Sequence, residues 1–194
     1  MARAFTDNAP PVSRVVDLIV LILVIGALLV GWQLRQIALF STKNITVQDL
    51  SVGIPTDSIP LSGDDELAFV TPDGLIVRIN ILPAPPIGIK DPLALVTDRA
   101  VSQEEAHDVY QTIANDTLTL DERPAGLLEY AYVDEQNDSF FASSLQVIRG
   151  FELLVGQGDE VYVVTLEAPD HQFDAVETLW PRLQDSLRLK KAQS

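Results

Sequence analysis

The side chains able to do chemistry are few, and they do not cluster. The chain holds two histidines, His107 and His171, and no cysteine. Thiolate metal sites, cysteine nucleophiles and disulfides are therefore excluded. His107 lies near Glu104 and Asp108, but two lone histidines far apart in sequence lack the spacing of a metal site. Both are expected at the solvated surface. A hydrolase would need His171 beside a carboxylate and a nucleophile, and no G-x-S-x-G elbow supplies one. Asp134-Glu135-Gln136-Asn137-Asp138 superficially follows a calcium loop, yet lacks its glycine and closing glutamate. It reads as a solvated turn, as does Asp64-Asp65-Glu66. Gly156-Gln157-Gly158-Asp159 is better read as a hairpin turn than as a phosphate loop. The triplets beginning at Asn44, Asn115 and Asn137 match the glycosylation acceptor, a pattern common by chance. No catalytic, cofactor or metal residue is assigned.

The longest apolar run lies near the N-terminus. From Leu18 to Trp32 no side chain is charged or strongly polar, and extension to 15–34 admits only Asp17 and Gln33. About 20 residues at 1.5 Å each cover the ~30 Å hydrocarbon core as a helix that satisfies its own backbone. The expected transmembrane helix is 15–34, with Leu18, Leu21, Leu23, Ile25, Leu28 and Trp32 in lipid. Asp17 stays at headgroup level, and Trp32 to Arg35 form an interfacial belt. A cleaved signal peptide fits less well, since its apolar region is shorter and ends in small residues. Ala27 and Gly31 have a small-xxx-small spacing that permits a helix–helix contact. Arg3 and Arg14 before the run nearly balance Arg35 and Lys43 after it. A short N-terminal tail is retained and a long domain translocates regardless of charge, so the domain is expected outside the cytoplasmic membrane.

The net charge of −15 disfavours nucleic acid, whose phosphates need a basic patch. It disfavours adhesion of the domain to anionic lipid as well. An extracytoplasmic domain without disulfides relies on its core, and roughly 150 residues suffice. The absence of cysteine is compatible with a bacterial envelope protein.

The expected organisation is a tail 1–14, the span 15–34, a connector 35–44, an α+β domain 45–189 and a tail 190–194. Leu50, Val52 and Ile54 alternate with Ser51 and Gly53 as a strand ended by Pro55. Glu66 to Val70 and Leu75 to Ile81 make a hairpin across Thr71-Pro72-Asp73-Gly74. Pro83, Pro85 and Pro86 open a loop to about Ala100. A helix is expected from a Ser102/Glu105 capping box to about Thr117, with Ala106, Val109, Ile113 and Ala114 on one face. Arg123-Pro124-Ala125-Gly126 reads as a turn. Leu128, Tyr130 and Tyr132 share one strand face. Leu145 to Val155 and Glu160 to Ala168 pair across the 156–159 turn, the second apolar on both faces and so central. A terminal helix from an Asp170 N-cap to Leu189 carries Phe173, Val176, Trp180, Leu183 and Leu187 in one stripe, with Pro181 expected to kink it. Lys190 and Lys191 suit the helix C-terminus. The order is β-β-β-α-β-β-β-α, an antiparallel sheet packed with two helices.

The segment Gly150 to Leu189, with its hairpin turn, Val161-Tyr162-Val163-Val164-Thr165-Leu166, Ala168-Pro169, Phe173 and the ending Asp185-Ser186-Leu187-Arg188-Leu189, resembles the PsbP-like fold. Val52-Gly53-Ile54-Pro55 resembles its first strand. The resemblance, over 45–189, implies the antiparallel sheet between helices of extrinsic photosystem proteins and many bacterial envelope proteins. It implies an accessory, assembly or binding role and carries over no functional residue.

The expected function is thus a non-catalytic, membrane-anchored extracytoplasmic domain. Its partners would be the lipid bilayer and another membrane or envelope protein, which it binds or helps assemble. The alternative is a small-ligand or lipid-binding domain with a cavity lined by Tyr130, Tyr132 and Phe151. A hydrolase centred on His171 ranks third.

Overall fold

The computed structural model describes residues 11–61, 67–86, 88–136 and 144–190, with the backbone alone described for 11–15, 33–40, 135–136 and 144. The chain divides into two units, Met1–Ser41 and Thr42–Ser194. The first is built on one helix, α1 (Pro11–Phe40), of 30 residues. It continues through most of the stretch read as a connector, and β1 (Thr42–Val47) begins almost at once. Among the described residues no helix is long and apolar enough to cross a membrane. The side chains described on α1 run only from 16 to 32, about 25 Å of helix.

The second unit has antiparallel sheets, as expected, but the element order differs. After β1 come β2 (Leu50–Pro55), β3 (Ile59–Leu61), β4 (Leu67–Val70), β5 (Ile76–Pro83), α2 (Pro92–Ala106), β6 (Tyr110–Leu120), β7 (Arg123–Gln136), β8 (Ser144–Gln157) and β9 (Glu160–Pro169). A 3-10 turn (Asp170–Gln172), α3 (Phe173–Ser186) and β10 (Arg188–Leu189) complete it. The large sheet runs β3-β4-β5-β9-β8-β7-β6, and a small one runs β1-β2-β10. Strand β9 sits between β5 and β8 with both faces buried. The hairpin of β4 and β5 turns at Gly74, where φ is +81°.

The helix expected from Ser102 to Thr117 is corrected to α2, which starts ten residues earlier and ends at Ala106. Its cap is Asp91, whose Oδ1 accepts from the Leu93 and Ala94 amides at 3.0 and 3.3 Å. Pro92 follows at the first helical turn, where its missing N–H costs nothing. Residues 110–120 are strand instead. Thr112, Ile113, Thr117 and Thr119 are β-branched, and pairing with β7 wins over the helical spacing, leaving Val109 and Ile113 exposed.

The turn read at Arg123-Pro124-Ala125-Gly126 is likewise the start of β7. The chain reverses one step earlier, at Asp121-Glu122, with φ of +46° and +67°. Those are left-handed angles that a two-residue hairpin needs and that favour glycine or asparagine. Glu122→Gly should therefore stabilise the domain by about 0.5–1 kcal/mol, read as a higher denaturant midpoint.

Asp170 caps no α-helix. It opens the 3-10 turn, α3 starts at Phe173, and the Gln172 cap makes no side-chain bond. The helix continues through Pro181 and ends at Ser186, so Leu187 and Leu189 enter by extended chain. The helix end is served by Arg188, whose Nη1 donates to the Asp185 carbonyl at 2.7 Å, and not by Lys190. Lys191, Asn137, Asp138 and the Asp64-Asp65-Glu66 cluster lie outside the described residues.

The large sheet has two different faces. One packs on α3 and the small sheet through Val52, Ile54, Val77, Leu153, Leu166, Phe173, Trp180 and Leu183. The other carries α2, whose Leu95 and Val96 rest on Leu128, Leu154, Val161 and Val163. Gly126 lets α2 come close, since a Cβ there would stand 2.7 Å from the Pro92 carbonyl oxygen. Because α2 is short, it covers only part of this face.

Candidate functional site: a polar pocket beside α2

Strand alternation puts every second residue on the α2 face, and there the pattern turns polar. Arg78 on β5 pairs in register with Thr165 on β9, and Thr165 with Glu152 on β8. One step along, Glu167 faces Gly150, which faces Tyr130 on β7. Above these rows, Arg99, Gln103 and His107 follow each other at four-residue spacing, on α2 and its C-cap. Residues four apart share a helix face. Together these groups line a pocket of 320 Å³.

Two ion pairs built on buried carboxylates form its frame. Glu152, 1 % exposed, takes a two-pronged bond from Arg99, with Nε and Nη2 each at 2.8 Å. Gln103 Nε2 donates to Glu152 at 3.1 Å and Thr165 Oγ1 at 3.3 Å. Glu167, 2 % exposed, accepts from Arg78 Nη1, from the Tyr130 hydroxyl at 3.0 Å and from Tyr132 at 3.5 Å. Each carboxylate is thus matched to one guanidinium, and the glutamates and arginines sum to no net charge.

The aromatic wall is a set of stacked rings. His107 lies on Tyr132 with centroids 4.1 Å apart, and Tyr130 stands 6.1 Å from Tyr132 and 5.8 Å from Tyr110. Burial first, and then the Glu167 carboxylate, push the Tyr130 and Tyr132 phenols well above the ordinary tyrosine range. Burial, with Glu152 adding to it, pushes Tyr110 up to about 12. These hydroxyls stay protonated donors at neutral pH.

Gly150 makes the crossing possible. A Cβ there would stand 2.8 Å from the Glu167 Cβ and from the Leu166 oxygen, and 3.0 Å from the Tyr130 hydroxyl. Gly150→Ala should cost about 1–3 kcal/mol from overpacking and loosen the Tyr130–Glu167 bond. Urea denaturation reads the first effect and tyrosine titration the second.

Several expectations change here. His107 is half-buried in the ring stack and not a solvated surface residue. Tyr130 and Tyr132 line the pocket, but Phe151 does not. It points to the opposite face of the sheet, stacked 5.1 Å from Trp180 and tilted 5.5 Å from Phe173. His171 is exposed, and among the described residues its ring meets only Gln172, at 3.3 Å. That removes the hydrolase centred on His171. Among the described residues no group of acidic and histidine side chains is arranged to hold a metal.

Leu18, Leu21, Leu23, Ile25, Leu28 and Trp32 all lie on α1, each exposed. Ala27 and Gly31 lie on the same helix, also exposed, and a Cβ at Gly31 would meet nothing within 4 Å. The glutamates and arginines of the pocket escaped sequence reading. The available signal was Glu152 and Glu167, charges flanked by apolar strand residues, where burial demands a partner.

The sheet order and the helices on its two faces define the PsbP-like fold. The solution structure of cyanobacterial PsbP (CyanoP) from Synechocystis sp. PCC 6803 matches 77% of this chain and 93% of its own, at 12% identity and a TM-score of 0.56. The Ran-binding protein Mog1p of Saccharomyces cerevisiae matches 77% of this chain and 95% of its own, at 11% identity and a TM-score of 0.54. At such identities the likeness carries the fold alone. No family model and no curated protein matches the sequence.

Proposed function

We propose that the chain is a membrane-anchored, non-catalytic PsbP-like domain, held outside the cytoplasmic membrane by α1, that binds or helps assemble another membrane or envelope protein. The observation that carries this reading is α1. Its backbone spans 30 residues, about 45 Å, and its large apolar side chains from Val16 to Trp32 are all about half exposed or more. An apolar helix left bare needs a bilayer to bury it.

The partner half has separate support. Strand β6 closes one edge of the large sheet, and residues 111–117 are exposed throughout. The opposite edge, β3, has three residues and a proline, a protected edge. A proline-free edge strand, bulged between Thr112 and Ala114 and regular from there to Leu120, suits addition of a partner strand along that regular stretch. Binding of Ran by Mog1p, a protein of the same fold, is in keeping with a partner-binding role.

Carbonate washing followed by detergent extraction tests the reading. The full chain should stay in the carbonate-washed membrane and leave it with detergent together with a reproducible partner. Recovery as a carbonate-soluble or partner-free monomer would count against it.

A second reading is favoured by the pocket itself. A volume of 320 Å³ with convergent polar groups lies at the small end of ligand sites. Two ion pairs with buried carboxylates and partly exposed guanidiniums are a poor device for stability alone, and they fit a framed binding site.

A further inference from the structure

We infer that the pocket beside α2 binds a neutral polyhydroxylated ligand the size of one hexose ring. This rests on the ligand-pocket reading and names its ligand class.

Charge decides first. Arg99 and Arg78 are each engaged by a buried carboxylate, Glu152 and Glu167. An anion would have to share guanidiniums that buried carboxylates already neutralise, and the net charge of −15 opposes its approach. A cation meets two guanidiniums. A neutral ligand faces neither cost and is held by hydrogen bonds.

The groups left to make those bonds suit hydroxyls. Gln103 donates to Glu152 through Nε2, while its Oε1 has no partner among the described residues and is an acceptor. The His107 ring is stacked, but neither nitrogen is hydrogen-bonded among the described residues. In the neutral ring one nitrogen donates and the other accepts. The Tyr130 and Tyr132 hydroxyls donate to Glu167; Arg78 in turn bonds the Tyr132 hydroxyl, so of the two the Tyr130 oxygen is the acceptor left. This mixture of donors and acceptors matches a polyol, in which every hydroxyl is both. Tyr132 and His107 also line the wall. The 320 Å³ volume is that of about ten waters, enough for one hexose-sized ring.

The test is an NMR titration of the full chain in a sugar-free zwitterionic detergent. The probes are a panel of neutral monosaccharides, the matching trisaccharides, inorganic phosphate and succinate. At least one sugar should give saturable shifts at His107 and Gln103, with phosphate and succinate giving none. Tighter binding of a trisaccharide supports the inference and assigns the source as a glycan end; equal binding supports it with the free sugar as source. His107→Ala and Gln103→Met should each weaken binding at least tenfold with the far-UV spectrum unchanged. Saturable binding of phosphate or succinate in place of sugar overturns the ligand class and leaves the pocket reading standing. If no probe shifts these residues, both fall.

Discussion

Arg99→Met should destabilise the domain by about 3–5 kcal/mol, and a second change, Glu152→Leu, should restore most of that loss. The asymmetry follows from burial. Glu152 is 1 % exposed, and its two oxygens receive Arg99 Nε and Nη2. Without Arg99 only Gln103 and Thr165 still donate to that carboxylate, and neither carries a charge. A buried, uncompensated charge costs more than the pair gains. With both charges gone, apolar side chains meet Leu95, Leu128 and Leu154, which already pack nearby. Urea denaturation of the two variants reads the difference. A single variant within about 1 kcal/mol of the parent would mean that water reaches the pair freely.

Alkali should unfold the domain, with the loss beginning above pH ~10. All four tyrosines, Tyr110, Tyr130, Tyr132 and Tyr162, have phenol pKa values raised in the folded state, in each case by burial first. Below the unfolded value both states are protonated, and the stability is fully present. Above it the unfolded chain sheds protons that the folded chain keeps, so stability falls as pH rises, until the folded pKa is passed. Each such tyrosine contributes a slope of about 1.4 kcal/mol per pH unit in that window. Phenolate absorbance should therefore stay low at pH 10 and rise steeply together with loss of the far-UV signal. A smooth rise centred at pH 10 with the fold intact would show the rings to be solvated.

The strands were legible where one face is dry. Leu75, Val77 and Ile79 alternate with Ile76, Arg78 and Asn80, and all three are buried. Strand β9 is apolar on both faces because it lies between β5 and β8. The α3 stripe from Phe173 to Leu183 is buried as its 3-4 spacing implies. Reading failed where a local signal competed with tertiary pairing. Ser102 and Glu105 imitate a capping box inside a helix already capped by Asp91, and β6 has exposed side chains on both faces, so it has no strand alternation to read. The Asp121-Glu122 reversal has no glycine to mark it. The pocket was half legible. Tyr130 and Tyr132 announced a strand face, but their meeting with Glu167 joins positions 35 or more residues apart. Arg99 and Glu152 are 53 apart, and only the packing of α2 on the sheet brings them together.

The central claim is that α1 anchors the domain on the outer side of the cytoplasmic membrane. Protease added to intact spheroplasts tests it most directly, with lysed spheroplasts and the purified, detergent-extracted chain as controls. Digestion of the intact spheroplasts should remove the domain that follows Ser41 and leave a small fragment containing α1 in the membrane. Survival of the domain until lysis, when the purified chain is cut readily, would contradict the account and place the domain inside.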